Sequence, residues 1–440
     1  YHKHPPLSGW MAGLWFRVMP RDGWSFHLLA YANAAVGLWA VWLAAGRLLS
    51  GRTRLAAVLL LLLTPFFTFS PAKFNANTVL LSAWPWTVYL FILSLERRTL
   101  VSGLLLGVAA AAAMLGKYYS VLLLVSCLAA ALLHPAARAY FRSPAPYAAV
   151  AALLVAVAPH AAWLVANEYQ TVTYAVSKTR PHLSEIVGRG TWAMFAGLAL
   201  HLPAAVALVM VTGMGWREAV GKLRAGVLKR DNAWLVVLAL GPYLLTYVAC
   251  IVGHVRISLQ FMITIFFLWP MVLLRLLGAE VAAARLRVLN YVGAAAGAAA
   301  IATAPAVSLA NIRLDYPVVV EPRRQVAKEA TRLWHQKYGR SLGIVGGTQG
   351  YAEAISFFSS DAPVELVELN YRYAPWVTPA LIAREGALYV CDVARHICIE
   401  RARELAGSSR EEIERTFHVT KWGVAAPPRT VLFVFSPPPD

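Results

Sequence analysis

Long apolar runs separated by short charged clusters are the dominant pattern of this chain, and they predict membrane-spanning helices. At about 1.5 Å per residue, the longer runs can cross roughly 30 Å of hydrocarbon, whereas several others are short and need ragged ends to do so. We predict about ten transmembrane helices, at 24–46, 55–69, 78–95, 100–115, 118–133, 146–166, 190–214, 233–252, 257–278 and 288–309. Thr64-Pro65 and Gly116-Lys117 are the weakest boundaries, because a proline or a charge there is typical of a broken or re-entrant helix.

The composition agrees with an integral membrane protein. Hydrophobic residues make up 59% of the chain and charged residues 14%, and the mean hydropathy is +0.57. A soluble protein with a very large core would carry charges along every helix, whereas here they collect between the apolar runs. The sequence therefore excludes a soluble fold for the first 310 residues.

The basic residues predict the orientation of the spans, because cytoplasmic loops carry an excess of Lys and Arg. They occupy alternate loops: Arg47, Arg52 and Arg54; Arg97 and Arg98; Arg138 and Arg142; Arg217, Lys222, Arg224, Lys229 and Arg230; Arg285 and Arg287. Residues 1–23 and the chain after about 310 are then predicted on the outer side. The net charge of +18 is explained by this topology and by anionic lipid, and no basic stretch carries a nucleic-acid-binding module.

Beyond Asn311 the pattern changes to that of a small soluble α/β domain. We predict a strand and turn at 340–347, strands at 363–370, 387–393 and 429–437, and helices at 348–360, 398–407 and 409–417. Gly346, Gly347 and Gly350 resemble a phosphate loop only loosely, and we interpret them as turn residues without a function.

The predicted fold is thus an all-α polytopic membrane protein with a small C-terminal α/β periplasmic domain. The membrane domain is predicted at 1–309, with an outer loop and an interfacial amphipathic helix in 1–23, and the periplasmic domain at 310–440. Cys391 and Cys398 lie in the latter, where a disulfide and two free thiols both stay open. A metal site with His396 is disfavoured, because the spacing matches no usual zinc pattern.

Cations on the predicted outer side are the most informative residues, because orientation by positive charge predicts few of them there. They are Lys3, Lys73, Lys117, Lys178, Arg180, Arg189 and Arg256, together with His4, His182 and His254. Cations among aromatic residues at the membrane surface suit a phosphate head group with a long apolar tail. Alternatively, each extends singly to lipid phosphate.

Five segments occur in an order that resembles the family 39 glycosyltransferases, the group that contains protein O-mannosyltransferases and bacterial lipid A sugar transferases of the C-type superfamily. They are KHPPLSGW at 3–10, FNANTVLLSAWPWTVYLF at 74–91, GKYYSVLLL at 116–124, PHAAWLVANEYQTVTYA at 159–175 and HVRISLQFM at 254–262. The resemblance implies a hexose or pentose carried on polyprenyl phosphate. It also implies transfer, at the outer face of the bacterial inner membrane, to lipid A or another envelope acceptor.

The resemblance and the outer cations together give a candidate site. Leaving-phosphate contacts are expected from Lys3, His4, Lys73, Lys117, His254 and Arg256, and a substrate loop from Pro5, Pro6, Tyr118 and Arg180. The diproline restricts the backbone and so holds Lys3 and His4 rigidly. No cofactor is required by the sequence, and a divalent cation stays open.

The general base is expected outside these segments. The family carries it as an Asp in the first outer loop, so we expect a further helix and that Asp upstream of Tyr1, and the 440-residue chain alone to be inactive in transfer. Asn75 and Asn77 stand where many relatives have an Asp. Asp22 and Glu168 are the fallback bases, although each also suits a helix cap or a loop.

Three other functions stay open at this level. A transporter would show internal repeats and ionisable residues deep in the spans. A polysaccharide polymerase or ligase shares the many-span design, but the early HPPL segment and the long C-terminal domain favour the transferase. A non-catalytic membrane partner is compatible with the missing base.

Overall fold

The structure, a computed structural model, describes residues 3–177, 183–255 and 257–439. The chain divides into two units, one ending at Gly297 and the other beginning at Ala298. The first unit is helical and contains α1 Leu7–Val18, α2 Gly23–Leu48, α3 Gly51–Leu62, α4 Pro65–Thr68, α5 Leu80–Arg97, α6 Leu100–Gly116, α7 Val121–Leu133, α8 Ala137–Phe141, α9 Ala145–Ala166, α10 Gln170–Ser177, α11 Leu183–Ala199, α12 Leu202–Thr212, α13 Trp216–Leu228, α14 Ala233–Val252, α15 Trp269–Leu276 and the start of α16 Ala283–Arg313. Short 3₁₀ helices lie at Ser70–Ala72, Tyr118–Ser120, Arg230–Asn232, Leu259–Ile263 and Ile265–Leu268.

Fewer helices than predicted are long and apolar enough to cross a membrane. Six of those described meet that test, at Gly23–Leu48, Ala145–Ala166, Val187–Thr212, Arg230–Val252, Leu259–Leu276 and Ala283–Arg313. The predicted spans 78–95, 100–115 and 118–133 are helical in α5, α6 and α7 but are not among these six. The count of ten therefore stays a prediction.

Both weak boundaries are breaks in the helical structure. The segments Gly51–Leu62 and Pro65–Ala72 are bent by 80° relative to each other, so the predicted span 55–69 is not a straight helix. The second break is at Lys117, whose extended backbone (φ −165°, ψ 133°) separates α6 from the 3₁₀ helix that precedes α7.

Glycines bring pairs of helices in the first unit to backbone contact. A Cβ on Gly37 of α2 would lie 1.9 Å from the carbonyl oxygen of Leu81 in α5. A Cβ on Gly103 of α6 would lie 2.2 Å from the carbonyl oxygen of Ala145 in α9. Small residues at such crossings let apolar helices pack closely where there is little hydrophobic driving force between them.

The amphipathic helix α13 provides a test of the predicted orientation. Arg224 in α13 and Ser184 in α11 are both exposed, and the loop charges place them on opposite sides of the membrane. In a Cys127→Ala, Cys250→Ala background, we expect Ser184→Cys to react with a membrane-impermeant thiol reagent in intact cells and Arg224→Cys to react only after permeabilisation. Equal labelling of the two in intact cells would contradict the predicted topology.

The second unit is an α/β domain with a mixed five-stranded sheet of order β2-β1-β3-β7-β4. Its helices after α16 are α17 Pro317–Val320, α18 Arg323–Tyr338, α19 Gln349–Phe358, α20 Pro379–Glu385 and α21 His396–Ala406, with a 3₁₀ helix at Val367–Leu369. The strands are β1 Ile344–Gly347, β2 Val364–Leu366, β3 Ala387–Asp392, β4 Glu411–Phe417, β5 Thr420–Lys421, β6 Val424–Ala425 and β7 Arg429–Ser436. Strands β1, β2 and β3 are parallel, whereas β7 is antiparallel to β3 and β4.

Alternating side chains of the central strands fill a core on each face of this sheet. Leu388 and Val390 of β3 pack with α18 and α19 on one face. Tyr389 and Cys391 pack with α20 and α21 on the other face. Both faces are covered by helices, which explains why β3 is apolar along most of its length.

Two predictions for this domain are wrong. Residues 411–417 form strand β4 rather than a helix, because Ile413 and Phe417 alternate onto the core while the strand pairs with β7. The Glu-rich composition favours a helix in isolation, but pairing and packing override that preference. Gly346 and Gly347 end strand β1 instead of forming a turn.

The pairing of the two cysteines in this domain, which the sequence left open, is a disulfide. Cys391 and Cys398 are bonded, with a Cα–Cα distance of 5.8 Å.

Candidate functional site

The break at Lys117 lies where several segments of the first unit meet. Gly116 ends α6, and a Cβ there would lie 2.9 Å from Leu80 of α5 and 3.6 Å from Leu7 at the start of α1. The absence of a side chain at Gly116 therefore lets α1 and α5 approach the connection. Leu7, the last residue of the HPPL segment, is thus brought close to the residue before Lys117.

The Lys117 side chain is half-buried and is surrounded by an amide and two aromatic rings. Its Nζ donates to Oδ1 of Asn77 at 2.5 Å. It lies 3.7 Å from the ring centroid of Phe261 and 5.7 Å from that of Tyr119, both within the range of cation–π attraction. Within the described parts of the chain, no carboxylate lies within ion-pair distance of this ammonium.

Burial without a carboxylate partner lowers the pKa of Lys117 to about 8. Lys117 lies in the connection between two predicted spans. Its charged form loses hydration there and gains only a neutral amide and ring faces. An anion that enters would stabilise the ammonium, so the arrangement suits a phosphate group.

A short amide network positions Asn77 beneath the ammonium. The side-chain oxygen of Asn75 accepts from the backbone N–H of Asn77 at 2.8 Å and from that of Thr78 at 3.2 Å. The Asn77 amide donates to Oε1 of Gln260 at 3.3 Å. This donation directs the amide oxygen of Asn77 toward Lys117, so Asn75 orders the turn and Asn77 contacts the cation.

The rings of Tyr119 and Phe261 beside the ammonium form an aromatic wall, and buried hydrogen bonds hold the Tyr119 side of it in place. Tyr119 stacks on Trp84 with ring centroids 5.6 Å apart, and its hydroxyl lies 2.5 Å from Oγ1 of the buried Thr246. The fully buried indole of Trp84 donates to Oγ of Ser120 at 2.9 Å. Satisfied polar groups of this kind hold the rings in one position.

Tyr118 links the connection to α10. Its hydroxyl lies 2.7 Å from Nε2 of His160 and 2.7 Å from Oγ1 of Thr171, and both of these partners are buried. Tyr174, one helical turn after Thr171, meets the ring of His4 edge-on at 6.1 Å. The helix α10 therefore connects Tyr118 with the segment that carries the two N-terminal prolines.

A model of the dolichyl-phosphate-mannose-protein mannosyltransferases matches residues 3–163, which include Lys117, Tyr118 and Asn77. This confirms the resemblance to family 39.

The fold of the chain is similar to that of two solved structures of one protein. ArnT from Cupriavidus metallidurans, in a crystal structure bound to undecaprenyl phosphate, has a TM-score of 0.57 and 12% sequence identity to this chain. The same enzyme in the apo state has a TM-score of 0.59 and 13% identity. Both alignments cover 99% of this chain and 88% of the ArnT chain. No curated protein sequence matches the chain.

The other predicted phosphate contacts differ in their exposure. Lys3 and His4 are half-buried, and Pro5 is buried just before α1. Lys73 is exposed, and so is His254, whose φ of 52° is left-handed. Two further candidates, Arg180 and Arg256, lie outside the described residues.

The two fallback bases lie in different surroundings. Oδ1 of Asp22 accepts from the backbone N–H of Gly23 at 2.5 Å, so this carboxylate caps α2. Glu168 is exposed, with a left-handed φ of 52°, between α9 and α10. No group of three or more His, Cys, Asp or Glu among the described residues could hold a metal ion.

Choosing candidate residues by their positive charge misses the neutral residues around Lys117. Asn77, Gln260 and Phe261 all lie in segments that carry the family 39 resemblance, but none of them is a cation. The available signal was their place in the motifs FNANT and SLQFM. Their convergence on Lys117 depends on contacts across 40 to 183 positions of sequence, which local patterns do not report.

Proposed function

We propose that this protein transfers a hexose or pentose from a polyprenyl-phosphate donor to a glycolipid of the cell envelope, such as lipid A. The transfer takes place at the outer face of the bacterial inner membrane, with the C-terminal domain in the periplasm. The observation that carries the proposal is the half-buried Lys117 ammonium, held by Asn77 and two aromatic rings without a described carboxylate.

The comparisons support a polyprenyl monophosphate as the donor. The family description names dolichyl-phosphate-mannose, and the solved ArnT structure is bound to undecaprenyl phosphate. Both are single phosphates on long apolar chains. The Lys117 ammonium suits such a head group, since it can donate a charge-assisted hydrogen bond to a phosphate oxygen.

In the proposed reaction, the acceptor hydroxyl oxygen bonds to the anomeric carbon while the bond from that carbon to the phosphate oxygen breaks. The electron pair leaves with the polyprenyl phosphate, and Lys117 stabilises the added negative charge. The acceptor proton passes to a carboxylate base. We propose an Asp of the family's first outer loop as this base, with Asp22 and Glu168 as its fallbacks.

Asn77 and the aromatic wall position the ammonium in this scheme. Asn77 fixes the direction of Nζ through its own bond to Gln260. Phe261 and Tyr119 limit hydration of the cation without neutralising it. Tyr118, held by His160 and Thr171, keeps the connection and α10 together around the donor.

The proposed function predicts a gene-dependent change in the envelope. In a strain that lacks the gene, intact-mass analysis of lipid A and the other envelope glycolipids should show the loss of one hexose or pentose from at least one species. The complete reading frame should restore it, and so should the control variant Lys222→Ala, which alters an exposed cation paired with Glu218. Identical glycolipid masses with and without the gene would contradict the proposed acceptor class.

A further inference from the structure

A cavity of about 860 Å³ opens in the C-terminal domain, and none of its residues has been given a role above. It lies at the carboxyl ends of the parallel strands β1 and β3, where Gly347 pairs with Val390. Its volume is within the range of small-molecule sites, which is about 300 to 1,000 Å³.

The topology of the sheet explains why a crevice forms at this point. From β1 the chain passes through α19 to β2 on one side, and it then returns to β3 on the other side of β1. Helix α19 packs on one face of the sheet and α21 on the opposite face. Ligands of open α/β sheets bind at such a switch in strand order, outside the carboxyl ends of the strands.

Two glycines that line the cavity leave no room for a side chain. Gly347 has a φ of 132°, and a Cβ there would lie 2.0 Å from the carbonyl oxygen of Val390. A Cβ on Gly350 would lie 2.8 Å from Arg323 and Glu321, which form an ion pair at 2.7 Å. The disulfide from Cys391 to Cys398 ties the end of β3 to the first turn of α21, so the opposite rim is covalently fixed.

Charged side chains of both signs line the cavity. Arg395 is exposed, and its guanidinium makes no hydrogen bond or ion pair with any described residue. Arg401 donates to Glu404 at 2.5 Å and retains further N–H groups. Glu353 and the amide of Gln349 lie on the α19 side and bond to each other at 2.8 Å.

We propose that this cavity binds an anionic saccharide, a sugar that carries a phosphate or a carboxylate group. Arg395 and Arg401 bind the anionic group, because planar guanidinium groups match phosphate and carboxylate oxygens. Gln349 and Glu353 bind the sugar hydroxyls, which both donate and accept hydrogen bonds. The cavity is much larger than inorganic phosphate, and the charged groups in its lining favour a ligand that carries charge and hydroxyl groups.

The test uses the complete protein in lipid nanodiscs and isothermal titration with glucose 1-phosphate, mannose 1-phosphate, glucuronic acid and galacturonic acid. At least one of the four should bind saturably. Arg395→Ala should weaken that binding by about tenfold or more, and Arg395→Lys by less. Arg372→Ala, which alters an exposed arginine that does not line the cavity, should leave the affinity unchanged.

Competition then identifies the source of the saccharide. Displacement of the bound sugar by vesicles that contain lipid A, but not by vesicles without it, assigns the site to a glycolipid head group. Failure of both vesicles to displace it assigns the site to a free saccharide. The proposal is overturned if none of the four sugars binds, if Arg395→Ala binds as tightly as the parent, or if inorganic phosphate binds as tightly as the sugars.

Discussion

Replacing Lys117 by alanine should lower kcat/KM for sugar transfer by about a hundredfold to a thousandfold, the usual effect of removing one preorganised donor to a developing negative charge. The reason is that no described carboxylate pairs with this ammonium, so its charge is available to the leaving phosphate. The measurement compares initial rates of the parent and the variant, both expressed from the complete reading frame. Lys222→Ala is the matched control, since it removes an exposed cation of the same type.

The pH dependence of kcat/KM distinguishes an electrostatic role of the Lys117 ammonium from a role of its side chain in packing. Because the pKa of Lys117 in the free protein is lowered to about 8, kcat/KM should fall as the pH rises past that value and the ammonium loses its proton. Lys117→Arg should retain part of the activity and lose this alkaline decline, because a guanidinium stays protonated. An alanine variant within a factor of two of the parent, or an unchanged decline in the arginine variant, would remove Lys117 from the proposed mechanism.

Gly37→Leu should prevent stable folding of the membrane unit. The added Cβ would lie 1.9 Å from the backbone carbonyl oxygen of Leu81, and α2 and α5 would have to separate along their contact. Overpacking against side chains costs about 1 to 3 kcal/mol, and a backbone clash cannot be relieved by a rotamer change. We expect a cost at the upper end of that range or above it, measured as lost monodisperse protein and a lower thermal midpoint in detergent.

Gly293→Leu is the control for that experiment. Gly293 lies in α16, and an added Cβ there would meet nothing within 4 Å. Leucine favours a helix more than glycine does, so this variant should be as stable as the parent. If Gly37→Leu also behaved like the parent, the close contact between α2 and α5 would be refuted.

Hydropathy predicts where most helices lie but not how they are shaped. The runs 24–46, 146–166 and 233–252 correspond to α2, α9 and α14, because a long apolar segment in lipid must satisfy its own backbone hydrogen bonds. The 80° bend before α4 was indicated only as a weak boundary at Thr64-Pro65. Its angle depends on packing, which no local pattern contains.

The α/β unit shows the same limit. The pattern correctly predicts α19, α21, β3 and β7, in which apolar periodicity and length agree. It fails for β4, where the Glu-rich composition favours a helix and pairing with β7 decides the outcome. The long helix α18 was not predicted, and the disulfide was left open, since two cysteines in a permissive compartment do not determine their own geometry.

For the candidate site, the sequence supplies Lys117 and Tyr118 but not their surroundings. Charge on the predicted outer side selects cations, and it therefore gives equal weight to Lys73, which is exposed, and to Lys117, which is half-buried. The two lysines differ in their contacts, because Asn77 and Phe261 hold the ammonium of Lys117 in place. That distinction requires the tertiary structure.

Donor selectivity in a purified system distinguishes a polyprenyl-monophosphate donor from a diphosphate or nucleotide donor. The protein, expressed from its complete reading frame, is incubated with an extract of envelope lipids and labelled sugar on polyprenyl monophosphate, on polyprenyl diphosphate or on a nucleotide. We predict transfer of label to a glycolipid from the monophosphate alone, with release of polyprenyl phosphate and loss of the reaction in Lys117→Ala. Transfer from the nucleotide sugar without any lipid-linked donor, or no transfer from polyprenyl monophosphate hexoses and pentoses, would contradict it.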